Sequence, residues 1–380
     1  MILSLFVYTF MAISLYQLAD IVCRKYGSVG KNARLSRPEY IISFLLFAFF
    51  VGARYRVGVD HLSYLDYFNS ISMDLPQPTK NLEPLFYAIT WLFAKSGLHY
   101  FFYFAFWGFL QLYFIYYAFK DYRFVIPFAA VYIILGPIFF DWMNIMRQSV
   151  AVCAFAALSY FIINRKIYPY ICSILILSLI HKSALICLPL YFISYIPEFY
   201  NKRRQMQLIF FLSILIGITA SSIHFIPLQE VMNLIGYDNY NIEMTMSEDH
   251  SFSSAWGPRR LSMLIVDFAI IYSFPTIYKK YHLGRKWNLF FTFFFIGACL
   301  YNVVSGISGF LVRPLNYLLI FRIPLVGLIL YYTSQKKPLA FLLLLVCACT
   351  FTYIGVYTGS HNPGDQAAES CLYKFFFFEN

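Results

Sequence analysis

Arginine and aspartate residues follow a long apolar run at positions 54–60 and could together bind an anionic group. Arg54 and Arg56 are two residues apart, so on an extended segment their side chains would face the same side. Gly58 allows the backbone to turn before Asp60. Two guanidinium groups on one side form a fork for phosphate oxygens. The alternative is that both are interfacial arginines whose side chains reach the lipid headgroups.

Two further segments carry groups that could bind an anion or move a proton. Arg147 and Gln148 open an apolar helix, which would place a cation and an amide where the helix dipole also favours an anion. His181 falls at a break between two apolar runs, where its imidazole could accept a proton from a hydroxyl. An interfacial arginine and a hydrogen-bonded interfacial histidine are the alternatives for these two positions.

The elements that must position these residues are membrane-spanning helices. The chain of 380 residues is 60% hydrophobic and 12% charged, whereas globular proteins average roughly 45–50% apolar and 25% charged residues. Apolar runs recur along the sequence, each near the ~20 residues that a helix needs to cross a bilayer. The sequence therefore predicts an all-α polytopic membrane protein.

Basic loops give an orientation for this protein. Arg24, Lys25 and three further cations follow the first apolar run, which predicts a cytoplasmic loop and an N-terminus outside. The segment after Ala53 would then lie outside. Alternation along the chain predicts about 12 crossings, with both ends outside. Segment 83–97 has too few apolar residues for a span and is predicted to be a re-entrant or interfacial helix.

The sequence predicts one integral membrane domain over residues 1–380, with three outward pieces. The first is a loop at 54–82, in which Tyr64 and its neighbours suit an interfacial helix. The second is an acidic loop at 227–260, either a lid over a polar substrate or a solvated loop. The third is an outward tail at 358–380.

Several function classes are disfavoured by the sequence. The net charge of +11 resides mostly in short loops between spans, which argues against a nucleic-acid partner. The eight cysteines show no disulfide or zinc spacing. There is no Walker loop and no HExxH motif, so an ATP-driven pump and a zinc protease are disfavoured. We expect neither a metal nor a cofactor. The arginines on the outward side instead suggest an anionic ligand.

Five short segments follow one another along the chain and begin at Arg54, Glu83, Arg147, His181 and Arg313. Together, over about residues 40–320, they resemble the EpsG-type family of Wzy-like polymerases of bacterial exopolysaccharide and O-antigen. It implies a GT-C-like fold in the bacterial inner membrane. It also implies transfer of a growing glycan from undecaprenyl pyrophosphate to another lipid-linked repeat unit at the periplasmic face. A chain-length regulator would be a further partner.

The resemblance and the residues together lead to a hypothesis for the site. Its pyrophosphate-binding residues would be Arg54, Arg56, Arg147, Gln148 and Arg313, and its catalytic residues His181, Asp60 and Glu83. His181 or Asp60 would be the base for the acceptor hydroxyl, and Glu83 would position a sugar or an arginine. The transfer would be inverting and would need no metal, because the arginines stabilise the leaving group. We therefore expect Arg54, Arg147 and Arg313 to converge.

Other functions remain open on the sequence alone. A lipid-linked glycan ligase would use the same chemistry on a different acceptor. A flippase or transporter of lipid-linked sugars would also need a cationic cavity, but it would tend to show two related halves. A membrane O-acyltransferase would rest on His181, but an acyl-CoA donor would call for an inward site.

Overall fold

The computed structural model describes residues 1–30, 34–76, 82–196, 198, 200–220, 257–305 and 309–378. Helices make up most of these residues, which contain no β-strand and one isolated β-bridge. The predicted all-α class is therefore confirmed. The chain divides into two compact units, Met1–Ile196 with Ile320–Asn380, and Pro197–Leu319.

The first unit holds most of the candidate site residues. Its helices are α1 (Ile2–Tyr26), α2 (Pro38–Ala53), α3 (His61–Ser72), α4 (Pro84–Lys95), α5 (Tyr100–Phe119), α6 (Ile126–Leu135), α7 (Ile138–Asn144), α8 (Met146–Ile163) and α9 (Ile167–Ser178). A 3₁₀ helix follows at Lys182–Tyr195. The α2, α5 and α8 helices pack in that order, and α1 packs on both α2 and α6.

The second unit is built from α10 (Arg203–Ala220), α11 (Pro258–Lys280), α12 (Arg285–Val304), α13 (Gly309–Val312) and α14 (Asn316–Leu319). Helix α10 packs on α11 and α12. Asn302 connects them, because its amide accepts a hydrogen bond from Arg260 and donates one to Ser213. The chain then returns to the first unit with α15 (Arg322–Lys336), α16 (Pro338–His361) and α17 (Gln366–Glu369).

The described residues contain six helices long and apolar enough to cross a membrane, or up to eight if each of two bent pairs counts as one span. The chain is thus a multi-pass membrane protein, but the predicted count of 12 crossings is not confirmed. One bent pair is α6 and α7, which meet at 58°. Pro137 lies at this break and cannot donate a backbone hydrogen bond.

Two further sequence predictions concern the segment 83–97 and the acidic loop at 227–260. Helix α4 has 12 residues, about 18 Å at 1.5 Å per residue, which is too short for a bilayer core of ~30 Å. This agrees with a re-entrant or interfacial helix at 83–97. The acidic loop predicted at 227–260 lies almost wholly outside the described residues, which resume at Gly257.

Candidate functional site

Glu83 stands where the chain enters α4, and its backbone geometry follows from the next residue. A proline at position 84 favours an extended conformation for the residue before it, and Glu83 has φ −62° and ψ 138°. Pro84 then suits the first turn of the helix. The next two amides, of Leu85 and Phe86, both donate to the Leu179 carbonyl, at 2.9 and 3.3 Å. The start of α4 is thereby attached to the chain that follows α9.

The Glu83 carboxylate joins three segments that are far apart in sequence. Its Oε2 accepts a hydrogen bond from Arg147 Nη1 at 2.7 Å. Its Oε1 lies 2.9 Å from His181 Nδ1 and accepts a longer bond from the Lys182 amide at 3.3 Å. The Glu83 side chain is only 6% exposed, whereas Arg147 is 28% and His181 17% exposed. The Glu83 carboxylate is therefore buried, whereas the Arg147 guanidinium and the His181 imidazole are partly exposed.

The charge of this carboxylate is maintained by its partners. Burial on its own raises the pKa of Glu83, but the hydrogen bond with His181 and the charge of Arg147 outweigh it and lower the pKa to about 2. Glu83 is therefore an anion at neutral pH. An ionised Glu83 can accept from the imidazole Nδ1–H, and in that tautomer the lone pair of the ring lies on Nε2.

Arg147 lies in the first turn of α8, where Ser149 and Gln111 fix the start of the helix and residues of α3 and α4 contact the guanidinium. The Ser149 hydroxyl donates to the Met146 carbonyl at 2.9 Å and accepts from the Gln111 amide of α5 at 2.7 Å. The guanidinium lies over the Phe86 ring, 5.4 Å from its centroid. The Tyr64 hydroxyl of α3 also interacts with it. The sequence placed Tyr64 only in an interfacial helix, and it gave no signal of this contact.

Arg54 and Arg56 do not share one side of their segment, so that expectation is wrong. Arg54 is fully buried and donates from Nη1 to the carbonyls of Val57 (3.1 Å) and Met143 (3.0 Å). Arg56 is exposed. The physical reason is the left-handed backbone at Arg56, with φ 55°, which breaks the alternation of an extended chain.

The segment around Gly58 and Asp60 rests on the junction between α7 and α8. The Asp60 amide donates to the Asn144 side-chain oxygen at 3.1 Å. Gly58 has φ 85°, and a Cβ there would lie 2.5 Å from the Met143 carbonyl oxygen. Only glycine meets both conditions easily. The half-buried Asp60 is thus bonded through its amide to Asn144, which precedes Arg147 by three positions in the chain.

The remaining predicted residues have different surroundings. Gln148 is buried in α8 beside Arg147. Arg313 begins a short 3₁₀ turn in the second unit. Its convergence with Arg54 and Arg147 therefore stays a prediction. Within the described residues, there is no group of three or more His, Cys, Asp or Glu side chains that could hold a metal ion.

The EpsG family model matches residues 39–375. The chain belongs to the EpsG family. The match includes Glu83, Arg147 and His181, so the cluster lies within the EpsG region. No curated protein and no solved structure shows significant similarity to the chain. Membership of the EpsG family and several apolar helices fit, in broad terms, a membrane polysaccharide polymerase of the glycosyltransferase type.

The depressed pKa of Glu83 predicts how its contribution to stability depends on pH. A lowered carboxyl pKa stabilises the fold above the ordinary value of 4.5, and the contribution is lost as the pH falls toward the folded value. We compare His181→Gln with His181→Gln/Glu83→Gln, so that the two variants differ only in the carboxyl group at position 83. The thermal unfolding temperatures of the two variants should differ by a constant amount from pH 8 to about 5.5. This difference should shrink below about pH 4.5, as Glu83 becomes protonated.

The glutamine amide at 181 can still donate to Glu83 Oε1, and Arg147 still lowers the pKa of Glu83. A difference between the two variants that already declines between pH 7 and 6 would mean that Glu83 binds a proton near neutrality, contrary to its contacts.

Proposed function

We propose that this protein is a polysaccharide polymerase that acts at the periplasmic face of the bacterial inner membrane. It transfers a growing glycan from undecaprenyl pyrophosphate to the sugar of another lipid-linked repeat unit. The proposal is carried by one observation: the Glu83 carboxylate bonds both the Arg147 guanidinium and the His181 imidazole, and these two groups are partly exposed. A glycosyl transfer from a pyrophosphate needs both a cation for the leaving group and a base for the acceptor.

Arg147 suits the leaving group. The bond between the anomeric carbon and the pyrophosphate oxygen breaks, and its electron pair leaves with undecaprenyl pyrophosphate. A planar guanidinium can donate two parallel hydrogen bonds to such an anion. Nη1 of Arg147 contacts Glu83, and this contact fixes the direction of the guanidinium. Because the arginine supplies the positive charge, the proposed transfer needs no metal.

His181 suits the acceptor. The acceptor oxygen attacks the anomeric carbon from the side opposite to the pyrophosphate, which inverts the configuration. Its proton passes to Nε2 of His181, while Nδ1 donates to Glu83. A carboxylate in this position selects the tautomer and stabilises the imidazolium that forms, as in hydrolase triads. Asp60 is the alternative base, because its loop lies against the same end of α8.

The rival functions differ in what they ask of this cluster. A ligase would use the same residues with another acceptor. A flippase would need a cationic cavity but no base beside the cation. The hydrogen bond between Glu83 and His181 therefore favours a transferase over a flippase.

The glycan pattern of cells that lack the gene separates these functions. A polymerase predicts that long surface chains disappear while single repeat units remain attached to lipid A core. Surface glycans can be resolved as a ladder by gel electrophoresis, with the restored gene as the control. Cells without any surface repeats would point to a flippase or a ligase and contradict the proposal.

Replacement of His181 tests the chemistry of the site. Glutamine can keep the hydrogen bond to Glu83 but cannot take a proton at neutral pH. His181→Gln should slow chain extension by about 10² to 10⁴, the usual range for general base catalysis, with donor binding nearly unchanged. The measurement is the rate of chain growth by purified protein on lipid-linked repeat units, in buffer that contains EDTA.

The matched control is His361→Gln, which changes an exposed histidine at the end of α16 and should leave the rate unchanged. Normal chain growth by His181→Gln would assign the base to another residue, with Asp60 as the next to replace.

A further inference from the structure

The C-terminal residues return to the segment that carries Arg54 and Asp60. After α17, the Ser370 carbonyl accepts a hydrogen bond from the Gly58 amide at 3.1 Å, and the Lys374 carbonyl accepts one from the Tyr55 amide at 2.8 Å. Arg54 and Phe375 form an antiparallel β-bridge. We call residues 370–376 the C-terminal strap. It contacts the 54–58 backbone at Arg54, Tyr55 and Gly58 through main-chain groups.

Tyr373 anchors this strap to the helices beneath it. Its side chain is 2% exposed, and its hydroxyl donates to the Phe50 carbonyl at the end of α2. Its amide donates to the Ser4 hydroxyl of α1 at 3.0 Å. The ring packs edge-on against Tyr8 and Phe50, with centroids 5.8 and 6.0 Å away.

Neighbouring contacts hold the strap on both sides of Tyr373. The Tyr8 hydroxyl donates to the Cys371 carbonyl at 3.0 Å. Phe376 packs against His99, Tyr100 and Phe101 at the start of α5. The strap is therefore a built part of the first unit, attached to α1, α2 and α5.

A continuous set of contacts leads from the strap to the candidate site. The strap pairs with Tyr55 and Gly58. The same segment binds the α7–α8 junction, through Arg54 to the Met143 carbonyl and through the Asp60 amide to Asn144. Arg147 follows that junction in the first turn of α8 and pairs with Glu83. Displacement of the strap would release the 54–60 segment from one of its two supports.

We propose that the C-terminal strap positions the 54–60 segment for polymerisation, with Tyr373 as its principal positioning residue. Tyr373 does not touch substrate. It acts through the Tyr55 and Gly58 amides, and so through the placement of Asp60 and the start of α8. This inference rests on the proposed function for the part that concerns turnover. The attachment of the segment can be measured without it.

The first measurement is hydrogen exchange of the 54–60 backbone in purified protein. In Tyr373→Ala, the Tyr55 and Gly58 amides should exchange at least about tenfold faster, because loss of the strap carbonyls opens them locally. Tyr353→Ala is the matched control, since Tyr353 is an exposed tyrosine of α16. Equal exchange at both amides in wild type and Tyr373→Ala would overturn the proposal, and circular dichroism checks that both variants keep their helices.

The second measurement is chain growth, with the strap reattached by a disulfide. Tyr55 and Lys374 lie opposite each other beside the Arg54–Phe375 bridge, and paired residues of antiparallel chains have Cα atoms ~4.5–5.5 Å apart, within the range for a disulfide. Tyr373→Ala should extend chains about tenfold more slowly with an unchanged KM, since small displacements of a site cost up to about 10² in rate. The pair Tyr55→Cys/Lys374→Cys, oxidised in the Tyr373→Ala background, should restore the rate, and reduction should remove the rescue.

The two measurements distinguish a failure of the strap's positioning role from a failure of the proposed polymerase function. Faster exchange with an unchanged rate of chain growth would overturn the strap's role at the site and leave the polymerase intact. Slow growth that the oxidised disulfide does not restore would reduce Tyr373 to a structural residue and also overturn it. A wild-type protein unable to extend any lipid-linked glycan would remove the proposed function, while the exchange data would still decide whether the strap holds the 54–60 segment.

Discussion

A buried carboxylate needs partners, and this requirement ties together the part of the protein that carries the candidate chemistry. Glu83 is almost completely enclosed, and an unpaired charge there would cost several kcal/mol. Arg147 and His181 satisfy it, one at each oxygen. These partners come from the start of α8 and from the break after α9. The ion pair therefore specifies how α4, α8 and α9 meet, and it also leaves a cation and an imidazole partly open beside each other.

The local backbone makes this meeting point reproducible. Pro84 gives Glu83 its extended conformation, and the two amides after it bind the Leu179 carbonyl. His181 is itself extended, between α9 and a 3₁₀ helix. All three groups stand at the ends of helices, where the side chain can reach beyond its own element. A residue in the middle of a lipid-facing helix could not combine partial exposure with a paired charge.

The sequence predicted the helical class, because hydropathy determines it. It singled out Arg147 and His181 as candidate site residues by their types and positions. It also placed Glu83 in a role that includes positioning an arginine, and the structure pairs it with Arg147. It could not supply the contact between Glu83 and His181, since residues 98 positions apart leave no local signal of proximity. The sequence also did not predict the left-handed backbone at Arg56 or the contact of residues 370–376 with the 54–60 segment. Both depend on tertiary packing rather than on sequence periodicity or composition.

Arg54 illustrates the same limit in another way. An arginine after an apolar run suggests exposure at the membrane surface, and the neighbouring Arg56 is indeed exposed. Arg54 instead lies wholly inside the first unit, with its guanidinium on the carbonyls of Val57 and Met143 and near the Phe104 ring. In this arrangement it supports the segment that carries Asp60. Two arginines that are only two residues apart in sequence can therefore have different structural roles.

The central claim is that Glu83 and His181 act as one unit on the acceptor hydroxyl. A double-mutant cycle tests it most directly, with chain-extension rates measured for purified wild type, Glu83→Gln, His181→Gln and the double variant. If Glu83 orients His181, Glu83→Gln should slow chain extension less in the His181→Gln background than in the wild type, because the part of its effect that passes through His181 is already lost there. Independent effects that multiply in the double variant would contradict the account.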